Sequence, residues 1–469
     1  MTDFTLKPHM HLHLVGIGGA GMSAIARVLL GRGFVVSGSD RQANEYTAVL
    51  QQAGATVYQG HQAGQIAGAD VVVISSAVPP DNPEVMAAQA QGIPVLKRAD
   101  LLGHLMGNSI GIGIGIAIAG THGKTTTTGM VAQILLHAGL GPTVILGGTL
   151  PTLGTNGRAG QGDYFVVEAD EYDYMFLGLR PEVIVLTNLE HDHPDIFVTA
   201  ADYEDAFCRF VRLLPENGRL IACIDDPGVT KLLAGLDLPN VEITSYGLAE
   251  SAQFSALDLR PNHLGGSDFL VKYESEILGL ARLRLPGRHN VSNALAAIIV
   301  ALDAGVDFGD IREALAGFGG VGRRFQLVGK LGDVTVIDDY AHHPTEIRAT
   351  LAAARQRYPG RRLWAVWQPH TFSRTKLYLQ GFAASFGDAD KVVALDIYRS
   401  RETETLGMDT AVVLNAMNHP DAIYIPGRRE AADYILERIR PGDVVLTLGA
   451  GDGDAVGRWV LEGLKEKVI

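Results

Sequence analysis

The sequence predicts an α/β protein of three domains built on mostly parallel sheets, and three observations predict it. Short apolar runs alternate with amphipathic segments along the whole chain, the pattern of strands joined by crossover helices. Two glycine-rich loops, at 16–23 and 120–126, each follow an apolar run and open a helix. At 469 residues the chain is also too long for one core, given roughly 100–200 residues per domain. The domains expected are 1–109, 110–320 and 321–469.

In chain order, residues 11–15 form a short strand, 16–22 turn, and a helix runs through Ser23, Ile25, Val28 and Leu30 until Gly31 and Gly33 stop it. A second strand from 34 to 37 ends near Asp40. Gly16, Gly18 and Gly21, with that acid 19 residues after Gly21, satisfy the dinucleotide fingerprint and predict a Rossmann-like unit. Alone this says NAD, but the physics is only tight-turn glycines and a helix N-terminus facing a diphosphate, so a UDP-sugar fits as well. The strand at 69–74 brings Ser76 to its carboxyl end, where ligands of open α/β sheets sit. Ser76 and Asp40 are site candidates that equally suit turns.

Residues 108–114 are too glycine-rich for a central strand and mark the first boundary. The apolar run 114–119 then enters Gly120-Thr121-His122-Gly123-Lys124-Thr125-Thr126, and an amphipathic helix leaves it with Met130, Val131, Ile134 and Leu135 on one face. Such a loop aims backbone N–H groups at phosphates, while the lysine reaches the outer phosphates and the next hydroxyl holds Mg²⁺. The general pattern wants its first glycine at 118, where this chain has Ile118, so the loop is shortened. Strands at 164–168 and 183–187 deliver carboxylates beside it. Glu168 is placed like the acid that assists Mg²⁺ in other phosphate-loop enzymes, whereas Glu171, Glu190 and Asp192 equally suit solvated or helix-capping roles. A strand at 220–224 and a polar, β-rich stretch from 241 to 284 follow, then an alanine-rich helix opened by Gly287-Arg288-His289-Asn290. Residues 317–322 read as a linker. Strands at 334–337, 363–367 and 444–448 build the third unit.

Composition narrows the function. A formal net charge of −13 without a basic stripe argues against nucleic-acid binding. With 47% apolar and 19% charged residues, no apolar run near the ~20 residues of a membrane span and no apolar signal core in the first ten residues, the expectation is a cytoplasmic protein with no membrane partner. Cys208 and Cys223 suggest neither a disulfide framework nor a metal site.

Together, Gly-Ile-Gly-Gly-Ala-Gly-Met-Ser at 16–23, Gly-Thr-His-Gly-Lys-Thr-Thr at 120–126, Glu-Ala-Asp-Glu at 168–171 and Gly-Arg-His-Asn at 287–290 resemble the Mur ligases. Asp-Asp-Tyr-Ala-His-His-Pro at 338–344 and Gln-Pro-His at 368–370 resemble the branch that joins L-alanine to UDP-N-acetylmuramate. The resemblance implies a Rossmann-like UDP-sugar domain, a central ATPase whose shortened loop explains Ile118, and a Rossmann-like C-terminal domain that closes on the nucleotide. ATP and Mg²⁺ are the implied cofactors, UDP-N-acetylmuramate and L-alanine the implied partners, and a monomer or weak homodimer the expected state.

By the same resemblance, Lys124, Glu168, His193 and His342 carry the chemistry, and Thr125, Glu168 and His193 hold Mg²⁺. Gly120, Thr121, His122, Gly123, Lys124, Thr125 and Thr126 take the phosphates, and His289, Asn293, Arg324 and Asp338 or Asp339 contact ATP. Gly16, Gly18, Gly19, Gly21, Met22, Ser23, Asp40 and Ser76 take the UDP-sugar. Tyr340, His342, His370 and Arg374 surround the amino acid, Arg374 holding its carboxylate. Residues 219–226 offer no lysine for carbamylation, as expected of the alanine-adding branch, while Thr371 stands where some members carry arginine. Two alternatives remain: a tripeptide-adding ligase of cell-wall recycling and, from the first loop alone, an NAD-dependent dehydrogenase.

Overall fold

The structure is a computed structural model that describes residues 5–106 and 113–468. The first boundary and most of its glycine-rich run, at 107–112, lie outside the described residues. Three sheets follow one another along the chain.

The first sheet is wholly parallel, in the order Thr56–Gln59, Val35–Asp40, His11–Val15, Val71–Ile74, Val95–Lys97. His11–Val15 is central because its residues feed both faces: Leu12 and Leu14 pack with Ile25 and Leu29, while Val15 packs with Val72 and Ala88 on the other side. The chain leaves this strand toward Val35–Asp40 on one side and reaches Val71–Ile74 on the other. A cleft therefore opens at the carboxyl ends, where the first glycine loop begins the helix Ala20–Gly31.

The ten-stranded second sheet runs Glu276–Arg282, Ser267–Tyr273, Phe254–Pro261, Glu242–Gly247, Arg219–Cys223, Val183–Leu186, Ile114–Ala119, Tyr164–Glu168, Thr143–Leu150, Thr155–Arg158. Its middle is parallel, as expected, and antiparallel hairpins extend both ends. Ile114–Ala119 lies in the parallel middle, with Ile116 and Ile118 against Met130 and Ile134 of the helix Lys124–His137, and Ala117 and Ala119 in the opposite core. That opposite core is continuous with the first domain, running from Leu12 and Ile25 through Ile145 to Phe165. Contact is close enough to require a glycine: a Cβ on Gly157 would lie 2.4 Å from the Ala24 carbonyl oxygen.

The third sheet runs Gln326–Leu331, Val334–Asp339, Val444–Leu448, Leu363–Trp367, Lys391–Ala394, Ala422–Tyr424, parallel except for the first, antiparallel pair. Alternation along the strands makes two cores, Ile337, Ala365, Trp367 and Leu446 on one face and Val336, Trp364, Val366 and Val445 on the other. Both belong to this domain alone. Residues 317–322 connect it to the second sheet, but they are anchored: Phe318 and Val321 are buried in the central core. No described helix is long and apolar enough to cross a membrane.

Candidate functional site

The carboxyl ends of the first two sheets face a common cleft. On the first sheet, Gly16 takes the left-handed φ of 83°, and the Gly18 amide donates to Asp40 (2.9 Å), so Asp40 braces the loop from the neighbouring strand. A cavity of about 800 Å³ lies beside it, lined by Gly16, Gly19, Gly21, Met22, Asp40, Ser76 and Arg98. Arg98 covers the helix start so closely that a Cβ on Gly21 would meet its guanidinium at 2.0 Å, and it pairs with Asp170 at 2.9 Å. Ser23 turns the other way: its hydroxyl donates to Ala20 O within the helix and accepts from Asn156 (3.2 Å).

On the second sheet the phosphate loop is held from below. The Thr187 hydroxyl and Asn188 amide donate to the His122 carbonyl (2.6 and 3.0 Å), and the His122 amide donates to Asn188 Oδ1 (2.8 Å). Gly123 begins the helix at φ 82°, and a Cβ there would meet Asn293 Oδ1 at 2.6 Å, so both conformation and space demand glycine. Lys124 Nζ donates to the carbonyls of Gly120 (2.6 Å) and Thr121 (3.0 Å) and pairs with Glu171 at 2.8 Å. The Thr125 hydroxyl donates to Glu168 Oε1 at 2.9 Å, and Glu168 Oε2 accepts from the Gly147 amide. A hydroxyl and a carboxylate side by side next to the loop are hard oxygen donors of the kind Mg²⁺ takes.

His193, the third residue expected at a metal, sits with Glu171 (3.5 Å) and Arg374 (3.4 Å). Glu171 is 1% exposed. Burial works against its charge, but Lys124 and His193 outweigh it and hold the carboxyl down to about 2. Asp192 is buried too, yet kept well below the usual carboxylate range by Arg374, whose Nε donates to it at 2.9 Å. The Arg374 Nη atoms meet His370 (3.0 Å), four residues earlier in the same segment, and His193, which belongs to the second domain. Burial pushes His342 down to about 4 and His370 to about 2, leaving both rings neutral; His342 Nδ1 is 2.9 Å from the Tyr340 carbonyl. The Tyr340 ring lies under the guanidinium groups of Arg323 and Arg324, 5.0 and 4.9 Å away.

A second cavity of about 220 Å³ opens behind the phosphate loop, lined by His122, Gly123, Thr126, His289, Asn293, Arg324 and Asp339. It separates the two neighbouring aspartates. Asp339 lines it, accepting from the Phe325 and Ala341 amides while burial pushes its carboxyl up to about 6; Asp338 instead pairs with Arg323 (2.9 Å) and accepts from Thr447. His122 closes the cavity by bridging domains: its ring meets Glu190 and Glu346, each at 3.1 Å. Burial opposes a charge there, but the two carboxylates raise the imidazole to about 9. Among the described residues His122, Glu190 and His343 also form a compact set of metal-capable atoms, within 4.8 Å of one another, although the second carboxylate already satisfies His122.

A larger cavity, about 990 Å³, lies between all three sheets, lined by Lys124, Thr125, Glu168, Glu171, His193, Tyr340, His342, His370 and Arg374. Ser76, Arg98, Gly147, Glu168, Asp170, Tyr340 and Arg401 line it and the 800 Å³ cavity together. The first glycine loop therefore opens onto the phosphate loop through one continuous cleft.

Three family models match the chain in order: Mur ligase family, catalytic domain (11–109), Mur ligase middle domain (118–301) and Mur ligase, glutamate ligase domain (323–451). The chain belongs to the Mur ligase family. This Mur ligase is 45% identical over 459 residues to the UDP-N-acetylmuramate–L-alanine ligase of Geobacter sp. (strain M21), covering 97% of each chain. It is 41% identical over 469 residues to the enzyme of that name from Syntrophus aciditrophicus, covering 99% of this chain and 96% of the relative. Among solved structures, the UDP-N-acetylmuramate–alanine ligase of Thermotoga maritima superposes with a TM-score of 0.83 at 29% identity, over 98% of this chain and 100% of the other. A murein peptide ligase from Psychrobacter arcticus gives 0.72 at 27%, over 97% and 98%.

Sequence reasoning did not single out Arg98, Arg401 or Glu346 in this Mur ligase, and left Glu171 and Glu190 undecided. Arg98 carried a signal, a basic residue just after the strand Val95–Lys97, but that strand is too short to show a period. Glu346 carried none, since its partner His122 is 224 residues away.

Proposed function

We propose that this Mur ligase uses ATP to join L-alanine to the lactoyl carboxylate of UDP-N-acetylmuramate, releasing ADP and phosphate. The continuous cleft carries the reading: a sugar-nucleotide-sized cavity ends at Glu168 beside Lys124, so one substrate's carboxylate can meet the outer phosphate of the other. Residues 1–109 take the UDP-sugar, 110–320 the ATP, and 321–469 close over both and bring the amino acid.

Gly16, Gly18, Gly19, Gly21 and Met22 receive the diphosphate at the helix start, with Arg98 as its counter-charge; Ser23 keeps that helix in place. Lys124 and the amides from Gly120 to Thr126 take the ATP phosphates, while His289, Asn293, Arg324 and Asp339 enclose the nucleoside. Thr125 and Glu168 would hold Mg²⁺, with His193 nearby; bound there, the ion neutralises phosphate charge. Lys124 stabilises the charge that develops as the γ-phosphoryl passes in line to the lactoyl carboxylate. The resulting acyl phosphate has the leaving group that a carboxylate lacks. L-alanine then attacks through its amine, phosphate departs, and the amide remains. Arg374 takes the amino-acid carboxylate through its Nη atoms, exchanging His370 and His193 while Nε stays on Asp192. Neutral His342, its Nδ1 turned to the Tyr340 carbonyl, presents Nε2 as a hydrogen-bond acceptor that orients the amino group.

Phosphate release is measured with ATP, Mg²⁺ and UDP-N-acetylmuramate, offering L-alanine, glycine, L-serine and L-Ala-γ-D-Glu-meso-diaminopimelate in parallel. L-alanine is expected to be fastest. Faster turnover with the tripeptide would move the enzyme to cell-wall recycling.

A further inference from the structure

The reaction above leaves Glu171 without a task, although it is one of the most completely buried carboxylates at the phosphate loop. Its two oxygens lie 2.8 and 3.0 Å from Lys124 Nζ, Oε1 accepts from the Tyr203 hydroxyl at 3.2 Å, and His193 stands at 3.5 Å. Tyr203 also reaches Thr121 Oγ1 at 3.1 Å, which ties the carboxylate to the loop itself. An ammonium has three hydrogens, and here Gly120 O, Thr121 O and Glu171 use all three. A phosphate that recruits Lys124 must displace one of them.

We propose that Glu171 is an anionic place-holder in the phosphate site, and that it makes this enzyme select metal-complexed nucleotide over metal-free nucleotide. The inference rests on the ATP reading. A metal-free triphosphate entering the loop meets a buried negative charge. If Lys124 turns to the phosphate, Glu171 loses its nearest cation and keeps only His193, 3.5 Å away; if Lys124 stays, the phosphate goes uncompensated. A nucleotide that arrives with a divalent cation brings the missing positive charge and escapes both penalties. Glu171 is thus a positioning and selectivity residue, acting through Lys124 and His193.

The experiment is calorimetric titration of a non-hydrolysable ATP analogue into wild type and Glu171→Gln, in EDTA and in excess Mg²⁺. Glutamine keeps the size and removes the charge. Wild type should bind the Mg²⁺ complex far more tightly than the metal-free analogue. In the variant, metal-free affinity should rise about tenfold or more while Mg²⁺-complex affinity changes little, so the ratio between the two collapses. Glu171→Asp, which keeps a charge, should retain the ratio, and carries the test if the glutamine variant does not fold. A purely structural Glu171 predicts weaker binding in both conditions, and that result, or an unchanged ratio, overturns the proposal. Wild type that binds no nucleotide under either condition would sink the ATP reading itself.

Discussion

The two glycine loops share one local grammar and differ in what surrounds them. Each follows a central parallel strand and opens a helix, and each needs its glycines for backbone conformation. The first is braced by a neighbour in its own domain, Asp40, and covered by Arg98. The second is crossed by charges from three places: Lys124 on Glu171, Thr125 on Glu168, and His122 between Glu190 and the C-terminal domain's Glu346. A loop that only grips a diphosphate can be built from backbone and a single counter-charge. One that stabilises a moving charge has to have its ions held in advance.

The largest break in that comparison is Lys124→Ala. On the proposed reading Lys124 serves developing charge and no core, so turnover should fall at least about 10³-fold while circular dichroism is unchanged. Near-normal phosphate release would remove the phosphate-loop reading. For the first loop, Arg98→Ala should weaken UDP-N-acetylmuramate roughly 10- to 100-fold by calorimetry and leave the ATP analogue's affinity alone. NAD, titrated into wild type, should give no heat; tight NAD binding with no UDP-sugar binding would restore the dehydrogenase alternative.

A smaller effect concerns pH. The His122 imidazole, raised from a free value near 6.5 to about 9, contributes stability that is fully present below about 6.5 and is lost as pH rises through about 9. Wild type should therefore melt a few degrees above His122→Gln at pH 6, on the order of 2–4 °C per kcal/mol, and the gap should vanish by pH 10. A gap that widens with pH contradicts the bridge. The smallest effect is Asp40→Asn, expected to cost the UDP-sugar about two- to fivefold, since Asn44 still donates to the Gly18 carbonyl and steadies the loop.

What was legible in the sequence was local. Residues 120–125 are contiguous, so strand, loop and helix announce themselves within a dozen positions, and Glu168 ends a short continuous apolar run, the mark of a strand buried on both faces. The antiparallel edge strand Gln326–Leu331 was not legible because none of its residues is buried and it carries Gly329 where an apolar alternation would show. Nor were the partners of the candidate residues. Arg374 and Asp192 are 182 positions apart, Thr345 and Glu190 155 apart, and a carboxylate at a strand end reads alike whether it faces solvent or an arginine. Three-domain order could be read from spacing and resemblance; which aspartate of the pair at 338–339 lines the cavity behind the phosphate loop depends on the pleat of one strand.

The division of the hydrophobic cores has a mechanical consequence. The first two domains share one apolar core, and separating them would expose hydrocarbon at about 25 cal/mol per Å². The third keeps its cores to itself and meets the others through ion pairs and hydrogen bonds: Glu346 with His122, Thr345 with Glu190, Arg374 with Asp192. Such a seam can part and be rewetted at small net cost, because water replaces each bond it breaks. One joint is a weld and the other a latch, so any parting of the domains would begin at the latch. The pairs that fasten the latch are themselves sheltered, Arg374 and Asp192 at 4% exposure each, so added salt should loosen it less than it would a surface ion pair.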